Sequence, residues 1–148
     1  MITGAARFRL AARVVADAPG PWQYLSRLRP DTITQRVLEL SAELRSHLVD
    51  PADLDGHARE FLAQLELAPT TPRGLMYASL QGARGVAAER LELARLVDAY
   101  EKLKKQLGLV EFADQMAWAA RLATDVPSVG SALRQEFGVV LLDEYQDT

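Results

Sequence analysis

Apolar side chains recur at helical spacing along most of the chain. Ala5, Phe8, Ala12 and Val15 form one set, Ile33, Val37, Leu40 and Leu44 a second, and Leu54, Ala58, Phe61 and Leu65 a third. Leu96, Tyr100, Leu103 and Leu107 form a fourth, and Phe112, Met116 and Ala119 a fifth. Steps of three and four residues return to the same side of an α-helix, so each set predicts one apolar stripe on one helix. The helix ends are legible too. Thr32 with Gln35 has the form of a capping box. Asp50-Pro51 is a start signal: Asp accepts from the orphan amides, Pro lacks the N–H that a first turn leaves unused, and Asp53 adds negative charge there. Thr71-Pro72 repeats that pattern. Gly108 sits just past Leu107, where a helix stop favours a left-handed residue. Ser128 is placed to cap a last short helix carrying Val129, Leu133 and Phe137, which Gly138 ends.

Residues 18–21, 68–72 and 125–127 hold the Pro and Gly expected of links. Gly82 and Gly85 predict a kink or break. The longest helix is therefore expected from about Val86 to Leu107, on the order of 30 Å long. Its outer face carries Asp98 with Lys102 and Glu101 with Lys105, acid four residues before base, worth about 0.2–0.5 kcal/mol per pair. Val139–Leu142 departs from the helical period. This apolar run, opened by β-branched residues and followed by Asp143-Glu144, reads as a strand buried on both faces. Nothing else reads as a good strand. The expected fold is all-α, an irregular bundle of about six to seven helices. An extended C-terminal tail would hold an orphan strand whose sheet comes from elsewhere.

Composition narrows the classes. The chain has 148 residues, 49% hydrophobic and 25% charged, enough for one domain with a real core and unlike a collagen-like or broadly disordered chain. No apolar run approaches the roughly 18 residues of a membrane span, and no secretory signal opens the sequence. Cysteine is absent, which excludes disulfides, thiolate metal sites and a Cys nucleophile. His47 and His57 are too few to support a metal site. Residues 1–49 carry seven Arg against four acids, a net of +3, although the whole chain is at −3. A basic bias of this size is more often a solvated face than a nucleic-acid footprint.

The closing residues carry the chemistry. An apolar strand ending in Asp-Glu is the Walker B arrangement of nucleotide hydrolases. Such a strand delivers its C-terminal end to the ligand crevice of an α/β sheet. Asp143 is then suited to hold Mg²⁺ through its water shell, and Glu144 to accept a proton from an attacking water. The full string Val139-Val-Leu-Leu-Asp-Glu-Tyr-Gln-Asp-Thr148 resembles motif II of the superfamily 1 DNA helicases of the UvrD/Rep/PcrA type. Gly108-Leu-Val-Glu-Phe-Ala-Asp-Gln-Met116 resembles the Gly-Leu-x-Asp-Phe-x-Asp-Leu segment that precedes motif II in that family. Glu111 stands in place of the usual Asp, and its longer side chain predicts a poorer N-cap and a looser start to that helix. The detail of both segments is most similar to actinobacterial members, some of which carry a nuclease domain.

The resemblance covers residues 99–148 by motif and residues 1–98 by the run of helices. It implies a helical insert of the 1B kind over residues 1–126. Residues 127–148 would be a helix and the motif II strand returning to an incomplete first motor domain. It implies ATP and Mg²⁺ as cofactors of an intact parent, catalytic roles for Glu144 and Gln146, and nucleotide-site roles for Asp143 and Asp147. The implied partners are DNA and the remaining motor domains, with no membrane, in the bacterial cytoplasm at the nucleoid. Lys102, Lys104 and Lys105 are the candidate DNA contacts, weighed against a solvated helix face already paired with acids. The phosphate-gripping Gly-x-x-x-x-Gly-Lys-[Ser/Thr] loop is absent, since no Lys here follows a Gly. The chain therefore reads as a piece of a larger helicase that alone binds no cofactor and hydrolyses no ATP. Its tail is expected to be poorly ordered or to pair with a neighbouring copy. Trp22, Tyr24 and Trp118 are expected to pack in the interior rather than stack on bases. The alternatives are a helical protein-interaction module with a coincidental motif, and a regulator retaining a dead one.

Overall fold

The computed structural model describes residues 1–2 and 4–144. Among them six α-helices follow one another: α1 (Gly4–Asp17), α2 (Pro30–Ser46), α3 (Pro51–Glu66), α4 (Ala78–Gln106), α5 (Phe112–Asp125) and α6 (Pro127–Glu136). A short 3₁₀ turn, Leu25–Arg27, lies between α1 and α2. Among the described residues no β-strand forms, apart from an isolated bridge between Thr70 and Met76. The fold is all-α, as the periodicity predicts.

One core binds α1, α2 and α4. Ala11 and Val14, then Ile33, Val37, Leu38 and Leu44, then Leu93, Leu96, Val97 and Tyr100 pack together with Leu25 of the 3₁₀ turn. The middle stripes, from Ile33 to Leu44 and from Leu54 to Leu65, are close to those read from sequence. The α1 stripe is turned by one position. Ala5 and Phe8 face outward, while Ala11 and Val14 are buried. Arg7 is what turns it: its guanidinium donates to the Leu38 carbonyl at 3.1 Å, which brings the Arg7–Ala11–Val14 side inward.

Helix α3 lies against the first half of α4, burying Ala58, Leu65 and Ala87. The predicted break at Gly82 and Gly85 does not occur. Helix α4 runs unbroken for 29 residues, about 43 Å. Glycine lowers helix propensity by only about 1 kcal/mol per residue, and packing against α3 outweighs that. Helix α4 starts at Ala78, ahead of the expected Val86, and no helix starts at Thr71-Pro72. Thr71 belongs to a tight loop, where its Oγ1 accepts from the Leu75 amide at 3.1 Å.

Other ends differ in detail. Helix α2 opens with Pro30 at its first turn and no side-chain cap, so Thr32 and Gln35 form no capping box; Gln35 instead donates to Glu39. Helix α3 starts at Pro51 as read, but the Asp50 carboxylate takes Arg121 rather than a free amide. Helix α6 starts at Pro127, one residue ahead of the expected Ser128 cap. Gly108 stops α4 as expected, at φ +63°, with the Leu109 amide donating back to the Lys104 carbonyl at 2.9 Å.

Candidate functional site

The tail leaves α6 through Phe137 and Gly138. Val139, Val140, Leu141 and Leu142 are 63–90% exposed and pair in no strand. The strand reading is therefore not realised. A buried strand needs partners for both rows of amides and carbonyls, and the helices offer none. Asp143 and Glu144 follow on the surface, with the Glu144 amide donating to Asp143 Oδ1 at 2.9 Å. Glu144 has φ +48°, in the left-handed region. Asp143 offers one hard carboxylate at an accessible position. Among the described residues no cluster of three or more acidic or histidine side chains is placed to hold a metal. That donor set fits Mg²⁺ carried on a nucleotide, where water and phosphate supply most ligands, and does not fit an all-protein cage. Gln146 and Asp147 lie outside the described residues.

The three candidate lysines part company. Lys102 is exposed and pairs with Asp98 at 2.6 Å, the i,i+4 bridge expected. Lys105 is exposed, and Glu101 is not its partner. Lys104 is buried. Its Nζ lies 2.9 Å from Asp114, 3.2 Å from Glu101 and 3.2 Å from Glu111, and 5.3 Å from the centre of the Tyr100 ring.

Lys104 is the middle of an ion cluster that joins four helices. Arg45 of α2 reaches Glu101 at 2.5 Å and Asp114 at 3.2 Å. Arg7 of α1 reaches Glu111 at 2.9 Å. Tyr100 donates its hydroxyl to Glu111, and Ser41 donates to Glu101. Three cations face three carboxylates, so the cluster is neutral and its desolvation is offset by pairing on every side. Burial works against the charge on Lys104, but the Asp114 hydrogen bond and the three carboxylates outweigh it and raise its pKa. Burial opposes the Arg45 charge as well, and Glu101 above all outweighs it. Burial, then the Glu111 hydrogen bond, pushes the Tyr100 phenol far above its ordinary range.

The same cluster corrects the reading of α5. Glu111 does not loosen its start. The Glu111 amide donates to Asp114 Oδ2 at 2.8 Å within a reciprocal capping box. The longer side chain fits because Arg7, Lys104 and Tyr100 hold its carboxylate. The buried side of α5 is Asp114 and Ala117; the predicted stripe is on the outside, with Phe112 67% and Met116 56% exposed. Trp118 is 51% exposed, against the expectation of burial, whereas Trp22 packs on the core.

Sequence reasoning missed Arg7, Arg45, Glu92 and the acids of the cluster. Glu92 accepts amides of Gln23, Tyr24 and Leu25 at 2.7–3.2 Å and so holds the link before α2. The available signal was charged residues falling within apolar stripes: Lys104 follows Tyr100 by one helical turn, and Glu92 adjoins Leu93 and Leu96.

Residues 22–148 match the family model of the UvrD/REP helicase N-terminal domain, and the chain belongs to that family. Two curated relatives are each described as an ATP-dependent helicase/nuclease subunit. The protein from Natranaerobius thermophilus is 40% identical over 50 residues, 34% of this chain and 4% of its own length. That from Streptococcus pneumoniae is 34% identical over 56 residues, 38% of this chain and 5% of its own length. The chain thus matches about one twentieth of the length of these relatives. No solved structure matches. Among the described residues no helix is long and apolar enough to cross a membrane.

Proposed function

We propose that this chain is part of an ATP-dependent DNA helicase. Residues 1–126 form the helical insert of its first motor domain, and residues 127–148 are the returning helix and acidic strand. The observation that carries the reading is Val139–Leu142 followed by Asp143-Glu144, at the end of a helical unit that belongs to the helicase family. The exposure of that apolar run supports it, because a sheet supplied by further motor sequence would cover it.

In the assembled motor, Mg²⁺-ATP supplies the electrophilic phosphate. Asp143 would offer an oxygen to the metal, Glu144 would take the proton of the attacking water, and Gln146 would sense the terminal phosphate. Asp147 would orient its neighbours. The insert's part is to position DNA, with Lys102 and Lys105 as the accessible cations and Lys104 committed to the ion cluster. Such a motor works on chromosomal DNA in the bacterial cytoplasm, and repair is a process it would serve.

The test is the DNA-stimulated ATPase of the complete gene product beside its Glu144→Gln variant. A Gln at this position cannot take the proton, so turnover is expected to fall about 10²-fold or more while nucleotide affinity is retained. Unchanged turnover would remove Glu144 from the mechanism and the motor reading with it.

A further inference from the structure

The ion cluster divides by origin. Its cations, Arg7, Arg45 and Lys104, stand on α1, α2 and α4, and Glu101 of α4 stands with them. The other two carboxylates, Glu111 and Asp114, belong to the start of α5. The joint thus sets two net positive charges of the bundle against two negative charges of α5. Apolar packing adds little to it. Among the described residues, no side chain of α5 or α6 belongs to the core of α1, α2 and α4 or packs against it. Phe112, Met116, Leu122 and Leu133 are 40–67% exposed, and the buried apolar side chain of α5 is the small Ala117. Helices α5 and α6, by contrast, hold closely to each other. A Cβ added at the buried Gly130 of α6 would stand 2.7 Å from the Ala123 carbonyl oxygen of α5. The link into α5 has the form of a hinge. Gly108 is left-handed, and the Val110 carbonyl is fixed to the bundle by the Ile2 amide at 2.9 Å. A further tie, at the surface, runs from Arg121 to the Leu48 carbonyl at 3.3 Å and to Asp50 at 3.2 Å.

We propose that α5 and α6 form an arm that opens from the α1–α2–α4 bundle as a unit, with the ion cluster as its latch. Parts of a fold open separately where few buried apolar contacts hold them. Desolvation of buried ion pairs offsets most of their attraction. An arm docked by charge therefore gains less on closing than helices joined through an apolar core gain on packing. When the arm swings away, water reaches both halves of the latch, and Glu101 stays beside Arg45 and Lys104. The inference does not depend on the helicase reading. Where that reading holds, the arm is the segment that leads to the Asp143-Glu144 tail, so the latch sets how firmly the acid pair is tied to the helical insert.

Hydrogen exchange of the 148-residue chain, read by mass spectrometry on its fragments, is the test. In the wild-type protein the amides of α5 and α6 should exchange together. Corrected for their unstructured rates, they should be at least about tenfold faster than those of α2 and the second half of α4. Val97→Ala, in the core at 1% exposure, should speed exchange in α2 about tenfold or more and leave α5 and α6 unchanged, because the arm opens without the core. Lys104→Met should speed α5 and α6 by about 10²-fold, because it leaves buried carboxylates short of a cation. In that variant α2 should stay protected even where the arm no longer closes. Phe112→Gln with Met116→Gln should leave the arm unchanged, since those exposed side chains take no part in holding it. Equal protection of arm and core, or acceleration of α5 by Val97→Ala, would overturn the proposal. So would loss of α2 protection along with α5 in Lys104→Met, unchanged α5 exchange in that variant, or an arm released by the double Gln variant. None of these touches the helicase reading, which the Glu144→Gln turnover decides separately.

Discussion

Replacing Lys104 by Met tests the ion cluster directly. The variant keeps the stem volume, so little cavity forms, but removes an ammonium whose side chain is 3% exposed. Three carboxylates lose a partner at once. None is left wholly alone: Arg45 still reaches Glu101 and Asp114, and Arg7 still reaches Glu111. The cluster nonetheless moves from neutral to one net negative charge. Breaking a buried pair typically costs about 3–5 kcal/mol, and the remaining arginines place this case near about 3 kcal/mol. For a chain of this size that lowers the melting temperature by on the order of 10 °C. Lys104→Met/Asp114→Asn restores neutrality and should recover at least about 1 kcal/mol, since Asn still offers an oxygen to the Glu111 amide. The pH dependence has a definite sign. The folded-state pKa of Lys104 is raised, so its contribution is complete below the unfolded value of 10.5 and is lost as pH rises through the folded one. Tyr100, also raised, loses stability in the same direction. Wild-type protein should therefore destabilise steeply above about pH 10.5, and Lys104→Met should show a shallower alkaline loss. Urea denaturation followed at 222 nm, at neutral pH and in an alkaline series, measures both. A Lys104→Met variant within about 1 kcal/mol of wild type, or a double variant no more stable than the single one, would refute the reasoning.

Two further outcomes are expected. Glu92→Ala leaves three amides of the link before α2 without their carboxylate, including that of the fully buried Leu25. It should cost about 2–4 kcal/mol in the same denaturation assay, with Glu92→Gln intermediate. Gly82→Ala and Gly85→Ala should each stabilise by about 0.5–1 kcal/mol, because both sit within α4 and an added Cβ meets nothing within 4 Å. Thermal unfolding reads this as a rise in melting temperature, and a fall would show that α4 needs its glycines.

The sequence was most legible where apolar residues decide the packing. The stripes of α2 and α3 and the stop at Gly108 follow from spacing and from the one backbone conformation glycine adopts cheaply. It was least legible where polar groups decide. Arg7 turns α1 by one position, and Glu111 with Asp114 turns α5 almost opposite to its apolar stripe. Periodicity treats charge as a mark of the solvent side, and a neutral buried cluster inverts that rule. Its partners come from four helices. Arg45 and Glu101 are 56 residues apart, and Arg7 and Glu111 are further apart still, so no local window contains them. The acid pair of the tail was legible as a motif but not as a structure. Its strand state depends on a sheet that the described residues do not form.

The orientation of α5 links these observations. Burying Phe112 and Met116 would be worth about 1.5–3 kcal/mol each, so hydrophobicity alone would roll the helix to face them inward. They remain outside because the opposite side carries Glu111 and Asp114, which complete the pairing of Arg7, Arg45 and Lys104. Rolling α5 would leave three cations with Glu101 as their one carboxylate in the cluster, a larger penalty than two exposed apolar side chains. The cluster thus fixes which face of α5 is presented. The presented face lies on the same C-terminal part of the chain as exposed Leu122, Leu133, Phe137 and Val139–Leu142. Monomeric proteins seldom leave so much large apolar surface uncovered, and a helical insert seated on a motor sheet would not. In the proposed helicase, then, the buried charges do no chemistry themselves. They hold outward the apolar surface through which the unit would meet the rest of its motor.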